Sequence, residues 1–313
     1  MPDTFFRTII DDIPVETLGL VLPHEHLFTD LRGPDVPDYA KADPARVAAT
    51  MIPYLRDAEK AGVTALVECS TIGVGRNIEI LTELAKRTQI HVLAPTGVYK
   101  ESYTPAIYKS SSIEEMAELW VLELTEGIGM TEKKAGFIKI ALSDDGPTAL
   151  ETRNIRAAVR ASQATGAAIA SHTIGGNAAL KELAILEEEG LALERFIWVH
   201  ANSEPDQHFH LEAASRGAYV EFDSIGQPGV DQEELASAVM YLIEEGFANH
   251  VLLSHDAGWF QPGNPGGEPE GGIRGYTALT NEFIPLLQDN GIDDRTISLL
   301  TVENPKHAFA ITR

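Results

Sequence analysis

"LGLVLPHEH" (residues 18–26) is an apolar run that ends on two histidines one residue apart. By itself it reads equally as a strand with a polar end or as a metal grip. Seven more β-rich runs follow it: "VTALVECST" (63–71), "HVLAPTGVY" (91–99), "GFIKIAL" (136–142), "AAIASHT" (167–173), "RFIWVHA" (195–201), "AYVEFDS" (218–224) and "HVLLSHDAG" (250–258). Several are apolar on both faces, as expected of parallel strands covered by helices on one side and by a barrel interior on the other. Amphipathic segments lie between them. Ile155, Ala158, Val159 and Ser162 keep an i, i+3, i+4, i+7 spacing that predicts a helix over 151–165. Asp231, with Glu234 three positions on, predicts a capped start for a helix carrying Leu235, Val239 and Leu242 on one stripe. Eight strand and helix units predict an α/β fold, a (β/α)8 TIM barrel whose active site sits at the C-terminal ends of the strands.

No linker or internal repeat divides the 313 residues, so a single domain over 1–313 is expected. The Gly/Pro-rich "QPGNPGGEPEGG" (261–272) predicts a loop within residues 257–275, after strand eight, with a moving lid over the mouth as one reading. Forty-seven acidic residues against 24 basic ones give a formal charge of −23, which argues against nucleic acid and anionic membrane surfaces as partners. No apolar stretch approaches the roughly 18 residues of a membrane helix, and the N-terminus carries no secretory pattern, so a cytoplasmic protein is expected. The single cysteine, Cys69, excludes an internal disulfide and a cysteine zinc cluster, and its apolar setting favours a packed thiol over a reactive one.

The strand ends carry the chemistry. Strand one ends with His24 and His26, strand five with His172, strand six with His200 and strand eight with Asp256. Alternation along a strand turns His24 and His26 to one side, where both reach a single ion, and turns Glu25 away. Strand four places Lys139 between Ile138 and Ile140. A buried ammonium is costly unless it is paired, neutralised or bound. It pairs with Asp144 or Asp256, or snorkels to the mouth, or it adds carbon dioxide to become a carbamate able to bridge two metals. His255, on the opposite face from Asp256, reads as supporting structure. His208 and His210 lie about 200° apart on a predicted helix and make a poor grip on one ion.

In order and spacing, the H-x-H, the strand-four lysine, the two strand-end histidines and the strand-eight aspartate resemble the amidohydrolase superfamily. "LPHEHLF", "GFIKIAL", "ATGAAIASHT", "EEEGLALERFIWVHA" and "VENPKHAF" more closely resemble its phosphotriesterase-like family, which includes lactonases, over nearly the whole chain. The resemblance implies a binuclear centre. His24, His26 and Asp256 would hold the more buried metal, His172 and His200 the more exposed one, and N6-carboxylated Lys139 would bridge them. Imidazole and carboxylate suit zinc first, with manganese, cobalt or iron as alternatives. Two ions about 3.5–4 Å apart can hold a bridging hydroxide and polarise a carbonyl or phosphoryl oxygen. Asp256 would be the catalytic proton acceptor as well as a ligand.

Substrate contacts are thinner in the sequence. Tyr99 matches a tyrosine that the resemblance places near the metals, or else packs at the rim. Arg274, with Tyr276 two residues on, binds a substrate carboxylate or phosphate or pairs with an acid, and Lys100 carries the same two readings. Ser224 stands where acyl-homoserine lactonases of the family carry arginine. The leading expectation is a hydrolase opening a lactone or cleaving a carboxylic ester of a small molecule. Its alternatives are a phosphotriester or N-acyl amide hydrolase at the same site and, from a different class, a non-catalytic metal-binding barrel. The resemblance also implies a homodimer.

Overall fold

The computed structural model describes residues 4–312, and the remaining four residues of the expected 1–313 domain lie outside the described residues. Eight parallel strands run β1 (Leu20–Phe28), β2 (Val63–Glu68), β3 (His91–Leu93, continued by Pro95–Gly97), β4 (Phe137–Ala141), β5 (Ile169–His172), β6 (Phe196–Val199), β7 (Tyr219–Phe222) and β8 (Val251–Leu253). Each pairs with the next in chain order. The ring closes where the Asp256 N–H donates to the His24 carbonyl at 3.2 Å and His26 N–H to the Ala257 carbonyl at 3.0 Å, followed by a short strand Gly258–Phe260 alongside β1. This is the expected TIM barrel.

Helices α1 (Pro44–Lys60), α2 (Ile78–Lys86), α3 (Ile113–Thr125), α4 (Ala149–Thr165), α5 (Gly176–Glu188), α6 (Gln207–Ser215) and α7 (Gln232–Glu244) follow strands one to seven. In α4 the expected stripe is buried, and Thr148 and Glu151 cap its start reciprocally. Asp231 caps α7 by accepting the N–H groups of Glu233 and Glu234. The N-terminal end of the barrel is plugged. An antiparallel hairpin, Thr4–Arg7 with Asp12–Pro14, pairs with Ile311–Thr312 and brings Phe6 and Phe309 against Phe137, with the last two rings edge-to-face at 5.3 Å. Truncating Phe137 to alanine in so closed a layer costs about 3–5 kcal/mol. The plug leaves the C-terminal end as the open one.

Alternation fills the barrel interior with Val21, Ala65, Val67, Cys69, Leu93, Phe137, Ala168, Ala170, Ile197, Val199, Tyr219 and Leu252. Ile138 and Ile140 face the helices instead, which turns Lys139 inward with Phe137. The same parity carries His172 inward above Ala170. Among the departures from simple alternation, two re-aim site residues. On β1, Leu22 pairs with Leu66 but Glu25 with Glu68, so the strand holds one extra residue beside Pro23, which has no N–H for the ladder. Val21 already faces inward, and the bulge is what lets His24 and His26 do so too. On β6, Val199 faces inward and His200 would turn away, but a left-handed backbone (φ 65°) re-aims it.

Candidate metal centre

A cavity of about 150 Å³ opens at the C-terminal end, walled by His24, His26, Lys139, His172, His200 and Asp256 and rimmed by Tyr99, Trp259 and Leu31. All six residues expected to bind metal therefore meet in one place. Asp256 Oδ1 stands 3.0 Å from His26 Nε2 and 3.5 Å from His24 Nε2. The rings of His24 and His200 lie 5.0 Å apart and those of His172 and His200 4.4 Å apart. His24, His200 and Asp256 already present ligand atoms within 4.8 Å of one another. Asp256, like His200, sits at positive φ (48°), a conformation uncommon outside glycine.

Each imidazole is held from behind. His24 Nδ1 lies 2.8 Å from Glu221 Oε1, and His200 Nδ1 lies 2.9 Å from Asp223 Oδ1, whose Oδ2 accepts the His200 N–H at 2.9 Å. His26 Nδ1 meets the Ser70 hydroxyl at 2.8 Å, and His172 Nδ1 the Tyr99 hydroxyl at 3.0 Å. Burial, reinforced by the Lys139 charge, lowers the His24 pKa to about 4. Burial opposes charge on His26 as well, yet hydrogen bonds to Asp256 and Glu68 raise it to about 10. Burial, then the repulsion of His200 and Lys139, hold His172 well below its ordinary value. Burial opposes ionisation of Asp256, but the surrounding histidines, His26 first, outweigh it and keep the carboxyl below the usual range.

Lys139 is the least satisfied group. It is 1% exposed and its Nζ has no hydrogen-bond partner. The ion pairs left open for it do not form: Asp144 is taken by Lys100 at 2.6 Å, and Asp256 faces the histidines. Glu25, turned away from the cavity as expected, is fully buried and accepts from Ser254 Oγ, the His255 and Ala257 N–H groups and His255 Nδ1. His255 Nε2 accepts the Leu279 N–H at 2.9 Å, so its proton is on Nδ1 and the ring ties β8 to β1. His208 is exposed while His210 is buried and bonds the Ala201 carbonyl, so this second H-x-H grips nothing jointly. Cys69 is 2% exposed, and burial raises its thiol, as a packed cysteine should show, although it reaches the cavity wall.

The expected substrate contacts divide. Tyr99 stands at the cavity rim. Arg274 lines an adjoining cavity of about 300 Å³ with Asp256, Trp259, Glu270 and Gln227, and its guanidinium donates to the carbonyls of His255 and Asp256 at 3.1 and 2.6 Å. Tyr276 is a correction: it is 0% exposed and spends its hydroxyl on the His26 carbonyl at 2.7 Å, beneath the strand rather than in the cavity. Of the two readings of Lys100, the substrate contact gives way to the ion pair, since its ammonium is committed to Asp144 and it does not wall the cavity. Sequence reasoning missed Glu221, Asp223, Ser70 and Trp259. The first two had a signal, because acids at alternate positions of the apolar run "AYVEFDS" must point into the barrel.

The model of the Phosphotriesterase family matches residues 5–309. The chain belongs to the phosphotriesterase family. Within that family it is 31% identical to the phosphotriesterase homology protein of Escherichia coli, over 93% of this chain and 98% of that one. It is 29% identical to the aryldialkylphosphatase of Saccharolobus solfataricus, over 96% and 98%. Among solved structures, a mutant of the phosphotriesterase-like lactonase of Deinococcus radiodurans superposes with a TM-score of 0.89 at 29% identity, over 97% of this chain and 99% of that one. The family is one of binuclear metal-dependent hydrolases acting on small molecules, and this phosphotriesterase-family chain is a metal-dependent hydrolase. None of its described helices is long and apolar enough to cross a membrane.

Proposed function

We propose that residues 1–313 act as one domain that holds two divalent ions, zinc first among them, and opens a lactone or cleaves a carboxylic ester. His24, His26 and Asp256 would hold one ion, the more buried, His172 and His200 the other, and Lys139, carboxylated at Nζ, would offer an oxygen to each. The observation that carries this reading is the orphaned Lys139 ammonium, buried in the wall of a cavity that holds four histidines and an aspartate. A buried cation without an acceptor is costly, and carboxylation, in which the deprotonated amine adds carbon dioxide and releases a proton, replaces it with an anionic carbamate whose oxygens would suit divalent ions. Bound divalent ions would supply a nucleophilic water at neutral pH and polarise the substrate's carbonyl or phosphoryl oxygen.

The chain's own residues do the rest. Asp256 takes the proton released as the new bond forms and returns it to the leaving group. Trp259, edge-on to His26 at 5.8 Å, and Leu31 wall the approach against bulk water, and the Tyr99 hydroxyl meets the substrate beside His172. Arg274 offers an anionic or carbonyl-bearing substrate the one guanidinium of the adjoining cavity. A phosphotriester is the second reading, favoured by the likeness to an aryldialkylphosphatase. The deciding experiment is a hydrolysis screen of the zinc-loaded protein across γ- and δ-lactones, sugar lactones, organophosphates and N-acyl amino acids. Lactones should show the highest kcat/KM, with turnover abolished by a chelator and restored by zinc. A clear preference for organophosphates or amides would transfer the assignment to that bond.

A further inference from the structure

β7 supplies none of the proposed metal ligands, yet two buried acids, Glu221 on it and Asp223 just past its end, continue its inward face. Asp223 is fully engaged by His200, with one oxygen on the ring and the other on the backbone N–H, both at 2.9 Å. Its approach to His24 Nδ1 is long, at 3.3 Å. Glu221 Oε1 stands closer to that nitrogen, at 2.8 Å, while Oε2 has no hydrogen-bond partner. Glu221 is thus the nearer acid to His24, and Asp223 spends its two hydrogen bonds on His200 while reaching His24 only at the longer distance. The other two site histidines have hydroxyls as their nearest partners, Ser70 for His26, with Glu68 Oε1 further off at 3.6 Å, and Tyr99 for His172. An imidazole that donates Nδ1–H to a carboxylate is locked in the tautomer with Nε2 free and is the stronger donor.

We propose that β7 sets the two metal affinities separately, Glu221 through His24 for the more buried ion and Asp223 through His200 for the more exposed one. This rests on the ligand assignment above. Both acids are positioning residues, since neither touches the cavity in which a substrate would sit. Their spacing follows from the strand: two residues apart on one face, they reach two histidines whose rings are 5.0 Å apart.

The test is chelator competition on zinc-loaded wild type, Glu221→Gln and Asp223→Asn, with metal content measured at each chelator concentration. Wild type should release two ions per chain in two steps. Glu221→Gln should weaken one step by about 10–100-fold and Asp223→Asn the other by a similar factor. Thermal melts of the metal-free forms verify that each variant folds, and Glu221→Asp covers the case in which Glu221→Gln does not. Shifts of the same step by both substitutions, or wild-type release from a folded Glu221→Gln, would overturn the inference. Fewer than two ions on wild type would instead sink the binuclear reading on which it stands.

Discussion

The floor of the metal cavity and its rim are built differently. On the floor, every histidine sits on or just past a barrel strand, and its outer nitrogen is already engaged by Glu221, Ser70, Tyr99 or Asp223. At the rim, residues 261–272 run through turns. Their first half is tied down, with the Gln261 N–H on the Gly267 carbonyl at 2.7 Å and Arg46 holding the Asn264 and Pro265 carbonyls. Arg46 also lies over the Phe260 ring at 5.4 Å, and Gly267 packs so tightly on that ring that a Cβ would stand 2.0 Å from it. The second half, around Gly271 and Gly272, has nothing within 4 Å of a would-be Cβ at either glycine. Strand-borne chemistry is thus fixed by the fold, while the second half of the rim is open around its glycines and held by its own backbone, with Gly271 and Gly272 at φ 88° and 85°.

Substitutions can break that contrast. The largest effect is expected for Lys139→Ala, which should lose both ions and all turnover, with wild-type metal loading dependent on bicarbonate. Two ions retained at full occupancy would show that the floor does not need its lysine. Asp256→Asn comes next: it should keep the fold and lower kcat by about 10²–10⁴-fold. Unchanged hydrolysis of a good lactone would remove its proton role. At the rim, Arg274→Ala removes hydrogen bonds to two carbonyls beside Asp256, and its cost should be roughly tenfold in kcat/KM. An effect as large as that of Asp256→Asn would mean that rim and floor are not separable. Lys100→Ala should change kcat/KM least, less than about twofold, because it breaks only a half-exposed pair with Asp144.

The barrel was legible in the sequence because eight apolar runs spaced by amphipathic helices admit few other topologies. The six residues that meet in the cavity were legible as a group because each closes a run or, for Lys139, breaks the apolar pattern of one. Tyr276 was misread for an instructive reason. Two residues from Arg274 in a glycine-rich segment, it had every mark of a loop residue, but the chain turns back there and buries the ring under β1. Lys100 kept two readings because a lysine beside the mouth and a lysine paired across to the β4 loop look alike in one dimension.

The sequence by itself determined the fold and the donor set, since hydrophobic periodicity and residue type are local properties that survive without coordinates. Tertiary structure decided how those donors are aimed. The bulge beside Pro23, the left-handed turn at His200 and the carboxylates at the end of β7 act across strands; the two acids mark their own segment as inward-facing, but which histidine each meets, 23 and 197 positions away, is decided only by the fold.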